Sequence, residues 1–420
     1  MPDIPVGAQI FDLAFLPEQP LVTTGLLTGY IKAFSYDEQG NYEEKFSIRP
    51  SKKSCRTLAV TEDGSKLWAA GKAKAIYTVD VGTGEVVDTR AAAHDVPINR
   101  MKRLLPRLFA SGDDDGVIKL WDPRKQEAVR KYTHHFDFIS DFMWLDDKKQ
   151  LVATSGDGTL SVMDIRSKKL EPVAQSEDQE DELLSILPIK GGQKIVVGTQ
   201  LGILSIFNRK NGWGDCVDRI PGHPQSIDAL CAIPSRYSNA QSTILTGSSD
   251  GLLRAVQLFP TKLLGVVADH GEFPIERIAV DMGGEGRWVG SVGHEEVLKL
   301  TDLQEVFEND SDEDEEAESG SAGSDADPDM ENDEGGSDEE GETKTGPSKS
   351  EVKDAVEDEH VDEEEGTKEK AADSSDEEDL DPEPRKRKRK RKKEQDALHA
   401  MKRRKGKNEV EAEPTFFADL

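Results

Sequence analysis

Few residues in this chain combine a type and a spacing that could do chemistry. His134 and His135 are the only adjacent histidines, with Asp137 and Asp141 close behind, so divalent-metal binding is the first chemistry to weigh. A metal centre needs three or four ligands at regular spacing. No third ligand stands at such a spacing here, and a pair on a loop or rim is the better reading. Asp115, Asp157 and Asp250 each precede a glycine. Their carboxylates could serve as acids or bases, but Asp-Gly is foremost a tight-turn signature. Turn geometry with hydrogen bonds to His and Ser accounts for them better. Cys55 opens an apolar-alternating segment with no histidine beside it and reads as a small core residue. There is no GxGxxG after a strand, no P-loop Gly-Lys-Ser/Thr and no HExxH. The expectation is a non-enzymatic protein with no metal, no cofactor and no small-molecule substrate.

The turns that hold these aspartates recur. FASGDDDGVIKLWD at 109–122 is the fullest copy, and VATSGDGTLSVMD at 152–164 the next. Looser copies start at Val22, Val196 and Leu245, and degenerate ones at Leu67 and Trp288. Aligned on the tryptophan position, the markers are Phe34, Val79, Trp121, Met163, Phe207, Val256 and Thr301, at spacings of 45, 42, 42, 44, 49 and 45. That period, roughly 40–45 residues, suits units of four strands stacked as the blades of a propeller. Segments of period-2 apolarity precede the copies, at 10–15, 55–60, 228–233 and 275–280, and are expected as inner strands. The last unit lacks an outer strand of its own. Residues 3–6 are the expected donor and 305–307 the rival.

These residues are similar to the WD-repeat family, with KLWD at 119–122 the most specific piece. The resemblance implies an all-β, seven-bladed propeller over 1–305. It makes Asp115, Trp121, Asp122, Asp157, Asp164, His223 and Asp250 structural residues of the repeats. His94 and His223 lie just before an inner strand, where such repeats keep a structural His. Trp121 is expected to pack between blades. Trp213, in KNGWGDC, is either an exposed contact residue or a loop anchor. WDPR at 121–124 and MDIR at 163–166 also resemble the WD-x-Arg boxes of cullin-4 RING ubiquitin-ligase substrate receptors, which would make Arg124 and Arg166 adaptor contacts.

Composition sets the limits of the array. The 420 residues carry 84 acids and 54 bases, net −30, with 35% apolar and 6% aromatic residues. Up to Glu305 there are 43 acids and 35 bases; from Val306 there are 41 acids and 19 bases. All five tryptophans precede this boundary, so only the first part can bury a core. No run of about 18 apolar residues offers a membrane span. The N-terminus lacks a signal-peptide pattern, and three scattered cysteines read as reduced thiols of an intracellular protein.

Beyond the array, 306–384 is expected to be a disordered acidic region; from Glu308 to Pro384 it holds 35 acids and 5 bases. Ser311, Ser324, Ser337, Ser348, Ser374 and Ser375 each have an acid three residues on, the pattern of acidophilic casein-kinase-2-type kinases. The segment 385–407 is basic: Arg385, Lys386, Arg387, Lys388, Arg389, Lys390, Arg391, Lys392 and Lys393 run unbroken, and Lys402, Arg403, Arg404 and Lys405 follow. Such a segment can seek the acidic groove of an importin or the phosphates of rRNA. In the final stretch, 408–420, Phe416 and Phe417 suit a linear motif for a partner pocket.

The order of degenerate propeller, acidic stretch, Lys/Arg run and terminal FFADL resembles the WD repeat-containing protein 55 family, whose fungal members are the Jip-type proteins. The resemblance implies a nucleolar protein needed for rRNA production and ribosome biogenesis, with pre-ribosomal partners. Two other readings stay open, a cullin-ligase substrate receptor and an acidic-tail chaperone for basic nuclear proteins.

Overall fold

Each marker position falls on the third strand of a four-stranded antiparallel sheet, and there are seven such sheets. The computed structural model describes residues 2–308. Every marker lies directly opposite a buried apolar residue of the second strand. The pairs are Val22↔Phe34, Leu67↔Val79, Phe109↔Trp121, Leu151↔Met163, Ile195↔Phe207, Ile244↔Val256 and Val289↔Thr301. What the repeat conserves is therefore one buried cross-strand pair per blade, which tolerates Val or Thr as well as Trp. Where aromatics occupy it they also bind blades together. Trp68 of blade 2 stacks on Phe109 of blade 3 with centroids 4.3 Å apart, and Phe109 lies 6.4 Å from Trp121.

The inner strands are Ile10–Phe15, Cys55–Val60, Ile98–Leu105, Ile139–Leu145, Leu183–Ile189, Ile227–Ala232 and Ile275–Val280. The sixth starts one residue earlier than the expected 228–233. Each touches the next, and the seventh touches the first, so the ring closes. Blade 7 is completed by Asp3–Pro5, which pairs antiparallel with Val297–Asp302 in the register Asp3↔Lys299, Ile4↔Leu298 and Pro5↔Val297. As an outer-edge strand it accommodates a proline. The rival donor, 305–307, instead belongs to a short helix, Leu303–Glu308, which runs across the expected boundary at 305/306. Blades 2 and 7, the most degenerate in sequence, are both complete four-stranded sheets.

The small residues that end the second strands have a steric cause. A Cβ on Gly112 would stand 2.5 Å from Ile139 Cβ, one on Gly198 2.7 Å from Ile227 O, and one on Gly247 2.7 Å from Ile275 Cγ2. Each of these neighbours opens the next blade's inner strand, so the blades abut where only glycine leaves room.

The strand order sets two faces. The loops from outer to next inner strand, and from second to third strand, lie at one end of the ring, the entry face. The remaining loops lie at the other end, the exit face. The basic run 385–393, Lys402, Arg403, Arg404, Lys405, Phe416 and Phe417 lie outside the described residues, as does the acidic region from 309 onward.

Candidate protein-docking site at the channel mouth

All seven inner strands carry the same irregularity. The pairing with the second strand skips one residue, at Ile10/Asp12, Cys55/Thr57, Ile98/Arg100, Ile139/Asp141, Leu183/Ser185, Ile227/Ala229 and Ile275/Arg277. A bulge re-aims side chains, and here the skipped residue of each blade is Phe11, Arg56, Asn99, Ser140, Leu184, Asp228 or Glu276. These seven, with Phe138 and Arg100 among their neighbours, line a cavity of about 260 Å³ at the channel mouth on the entry face.

The residue after each bulge makes the floor. Leu58 N donates to Asp12 Oδ2 at 2.7 Å, Met101 N to Thr57 Oγ1 at 2.8 Å, Arg100 Nε to Ser140 O at 3.0 Å, and Ser185 Oγ to Ile227 O at 2.9 Å. Each bond ties one blade to its successor. Two arginines and two aspartates then span the channel. Arg277 Nε lies 3.4 Å from Asp12 Oδ1 and its Nη1 3.4 Å from Asp141 Oδ2, while Arg100 Nε lies 3.3 Å from Asp141 Oδ1. Burial pushes the Asp141 carboxyl up, but Arg277, Arg100 and Lys102 outweigh it and hold the group below its ordinary value.

The mouth itself is electrically two-sided. On one side Arg56 is occupied, donating to Asn99 Oδ1 at 2.7 Å and pairing with Asp114 at 3.1 Å. On the other, Asp228 accepts from Ser249 Oγ at 2.7 Å and Ser226 Oγ at 3.0 Å, and burial, aided by nearby Glu276, pushes it up to about 6. Glu276 Oε1 lies 2.7 Å from His294 Nε2, and that contact raises the imidazole. Around this mouth the entry-face loops carry 14 acids and 5 bases, the bases confined to the loops at 49–54 and 72–75. Phe136, 90% exposed, stands on the same face.

The repeat residues divide into scaffold and turn. His94 sits 2.6 Å from both Asp113 Oδ2 and Ser111 Oγ, and Trp121 Nε1 donates to Ser111 Oγ at 2.8 Å. The carboxylate that meets the histidine is thus buried Asp113; Asp115, the residue chosen from sequence, is exposed in the turn. Its backbone N–H donates to Asp113 Oδ1 at 3.1 Å, so Asp113 also shapes that turn. His135 repeats the scheme with Asp157 at 2.9 Å and Ser161 at 2.7 Å, and His270 with Glu295 at 3.1 Å and Ser291 at 2.8 Å. His223 meets Thr246 Oγ1 at 2.9 Å, while Asp250 pairs with Arg254 at 2.7 Å. Sequence reading missed Asp113, Ser111 and His270; a histidine just before an inner strand was the available signal. His134 turns away from His135's partners and lies edge-on to Tyr132, and burial pushes it down to about 4. Among the described residues no three His, Cys, Asp or Glu side chains gather as metal ligands, and no helix is long and apolar enough to cross a membrane.

Arg124 and Arg166 lie on the exit face of blades 3 and 4 in the same geometry. Each guanidinium grips the aspartate two residues back, with Nη2 at 2.6 Å from Asp122 and 2.7 Å from Asp164, and each side chain is 62% exposed. Trp213 is half-buried and packs beside Cys216 on the core containing Met143 and Phe207, as a loop anchor does. Cys55 is buried, and burial pushes its thiol up to about 12.

A protein-family model described as WDR55 matches residues 1–306. The chain is 66% identical over 309 residues to WD repeat-containing protein JIP5 of Coprinopsis cinerea, covering 73% of this chain and 75% of that one. It is 38% identical to the WD repeat-containing protein 55 homolog of Dictyostelium discoideum, covering 73% and 72% of the two chains. With WD repeat-containing protein 55 of Homo sapiens the identity is 35%, covering 72% and 77%.

Proposed function

Since this chain belongs to the WDR55 family of WD-repeat proteins, we propose that it is a non-enzymatic nucleolar scaffold supporting rRNA production and ribosome biogenesis, docking protein partners on the entry face of its propeller. The observation that carries this reading is the channel mouth: seven bulged side chains, one per blade, ring a shallow cavity of about 260 Å³ above a floor closed by ion pairs. Such a surface offers mixed apolar and charged contacts on a rigid frame, which suits recognition of a peptide or a protein rim. The acid-rich rim favours partners with basic segments, as ribosomal proteins and their assembly factors have.

The segment 385–407 supplies the address in this proposal, through an importin on the way in and rRNA phosphates at the destination. Affinity purification from nuclear extract followed by mass spectrometry is the test, with and without RNase. Pre-ribosomal factors that survive RNase are the expected result, and their absence defeats the proposal. Deleting 385–407 should move a fluorescent fusion out of the nucleolus; an unchanged location defeats the address.

One geometric feature favours a second reading, a cullin-4 ligase substrate receptor. The exposed Arg124 and Arg166 boxes recur on adjacent blades with matching Asp–Arg contacts. Reversing both charges should abolish capture of the ligase adaptor under that reading. The chaperone reading rests on the acids of 306–384 alone, and salt-sensitive binding of the isolated segment 308–384 to histones or ribosomal proteins is its test.

A further inference from the structure

The exit face is divided by charge. Its loops on blades 3, 4 and 5 hold 11 bases and 6 acids; those on blades 6, 7, 1 and 2, with the closing helix, hold 9 acids and 2 bases. On the basic side three of the aspartates are already matched, Asp122 by Arg124, Asp146 by Lys149 and Asp147 by Arg209. Lys148, Lys168, Lys169, Lys190, Lys194 and Lys210 have no ion-pair partner among the described residues. Lys190 and Lys194 instead stand over the Phe259 ring, 5.7 and 3.6 Å from its centroid.

The described chain ends beside this crescent. Leu303 N donates to Arg287 O at 2.9 Å on blade 7, and Phe307 packs on Tyr237 of blade 6 with centroids 5.1 Å apart. The helix thus steps from blade 7 to blade 6, in the direction of blade 5. The loop holding Tyr237 then meets blade 5 directly: Lys190 N donates to Gln241 O at 3.0 Å and Gly191 N to Gln241 Oε1 at 2.8 Å. The residues that come next are Asp310, Asp312, Glu313, Asp314, Glu315, Glu316 and Glu318, seven acids and no base within 310–318. Nine residues span up to about 30 Å when extended, enough to pass from blade 6 across blade 5.

We propose that the acidic run 310–318 docks on the exit-face crescent of this same chain, reaching Lys190, Lys194 and Lys210 of blade 5 first and Lys148 of blade 4 next. Charge complementarity supplies the attraction, and the short tether supplies a high effective concentration. The crescent suits a carboxylate-bearing peptide better than a single strand of RNA, because stacking platforms for bases are a main source of that binding. The one tryptophan on these loops, Trp213, is half-buried in its own blade. Ser311 lies inside the run, so a phosphate there adds charge to the same contact.

The experiment is zero-length carbodiimide coupling of the full chain, read by mass spectrometry of intramolecular crosslinks. Carboxylates of 310–318 should join Lys190, Lys194 and Lys210, and the links should fade as ionic strength rises. The surface variant Lys190→Glu, Lys194→Glu, Lys210→Glu removes three coupling amines along with their charge, so it is read at Lys148, whose amine is untouched: links from 310–318 to Lys148 should fall while the circular-dichroism spectrum stays that of the parent. The proposal is overturned if the run couples instead to 385–407 or to Lys52, Lys53, Lys72 and Lys74 of the entry face, or if the triple reversal leaves the Lys148 links unchanged. It is equally overturned if the same links form only between differently isotope-labelled copies.

Discussion

Arg277 of blade 7 and Asp141 of blade 4 meet across the channel, Nη1 to Oδ2 at 3.4 Å, although 136 residues separate them in sequence. Both also engage a second partner, Arg277 with Asp12 and Asp141 with Arg100, so four blades share one buried charge lattice. Removing one member leaves buried charges uncompensated, a loss typically of about 3–5 kcal/mol. Arg277→Met is expected to fall in that range in urea denaturation. The double change Arg277→Met, Asp12→Asn should recover part of it, because Arg100 and Asp141 then remain as a matched pair.

Two aspartates of one turn should behave very differently. Asp113 is buried against His94 and closes the Ser111–Trp121 network, whereas Asp115 is exposed. Asp113→Ala strands the His94 ring and two turn N–H groups, and should cost about 2–3 kcal/mol. Asp115→Asn should stay within about 0.5 kcal/mol of the parent. Equal losses in thermal melts would show that the network is not what holds the turn.

Two sets of groups give opposite pH signatures. Asp228 is raised by burial to about 6 in the folded protein, against about 3.9 when unfolded. It therefore penalises the folded state fully above pH 6, by about 3 kcal/mol, and the penalty fades as pH falls toward 4. Asp228→Asn should be more stable than the parent at pH 7, with the difference closing by about pH 4. His134, His223 and His270 are lowered by burial to about 4, 3 and 4. Their folded-state stability is full above about 6.5 and drains away as pH drops through the folded values. Denaturant titrations across pH 4–7.5 on parent and variant separate the two.

Glycines at the blade junctions give a steric prediction. Gly198 has a positive-volume problem rather than a conformational one: an added Cβ would meet Ser185 Oγ at 2.4 Å and Ile227 O at 2.7 Å. Ser185 Oγ is itself bonded to Ile227 O, so it cannot swing clear without breaking a tie between blades 5 and 6. Gly198→Ala should destabilise by about 1–3 kcal/mol. Gly214, which has nothing near its would-be Cβ, is the control.

The repeat was legible because burial of one cross-strand pair per blade imposes a period on the chain, and a period survives the loss of its tryptophan at Val79, Val256 and Thr301. The N-terminal donor was legible as a strand without a sheet. The bulges were not, since skipping a residue at Phe11 or Glu276 needs no glycine and leaves no mark on composition. Nor was the charge lattice, whose members lie on blades 1, 3, 4 and 7 and are brought together only by ring closure. In the run Asp113–Asp114–Asp115, residue type is the same throughout, and only strand register decides which carboxylate turns inward. His134 and His135 are neighbours in space as well as in sequence, with ring centroids 4.6 Å apart, but only His135 meets a carboxylate, while His134 lies edge-on to Tyr132.

Partner capture should discriminate between the two faces. If docking occurs at the channel mouth, Phe138→Ala with Glu276→Gln removes an apolar wall and a carboxylate from the cavity while leaving the floor lattice in place. Truncating residues central to an interface typically costs more than about 1–2 kcal/mol, a loss of tenfold or more in affinity. Arg124→Glu with Arg166→Glu alters only the exit face, where each guanidinium already holds its own aspartate. Under the proposed function, quantitative pulldown from nuclear extract should show the mouth variant losing its partners tenfold or more and the exit-face variant retaining them. The reverse ranking would move the docking site to the exit face and favour the ligase-receptor reading, because the twin Asp–Arg boxes are what the exit-face variant alters.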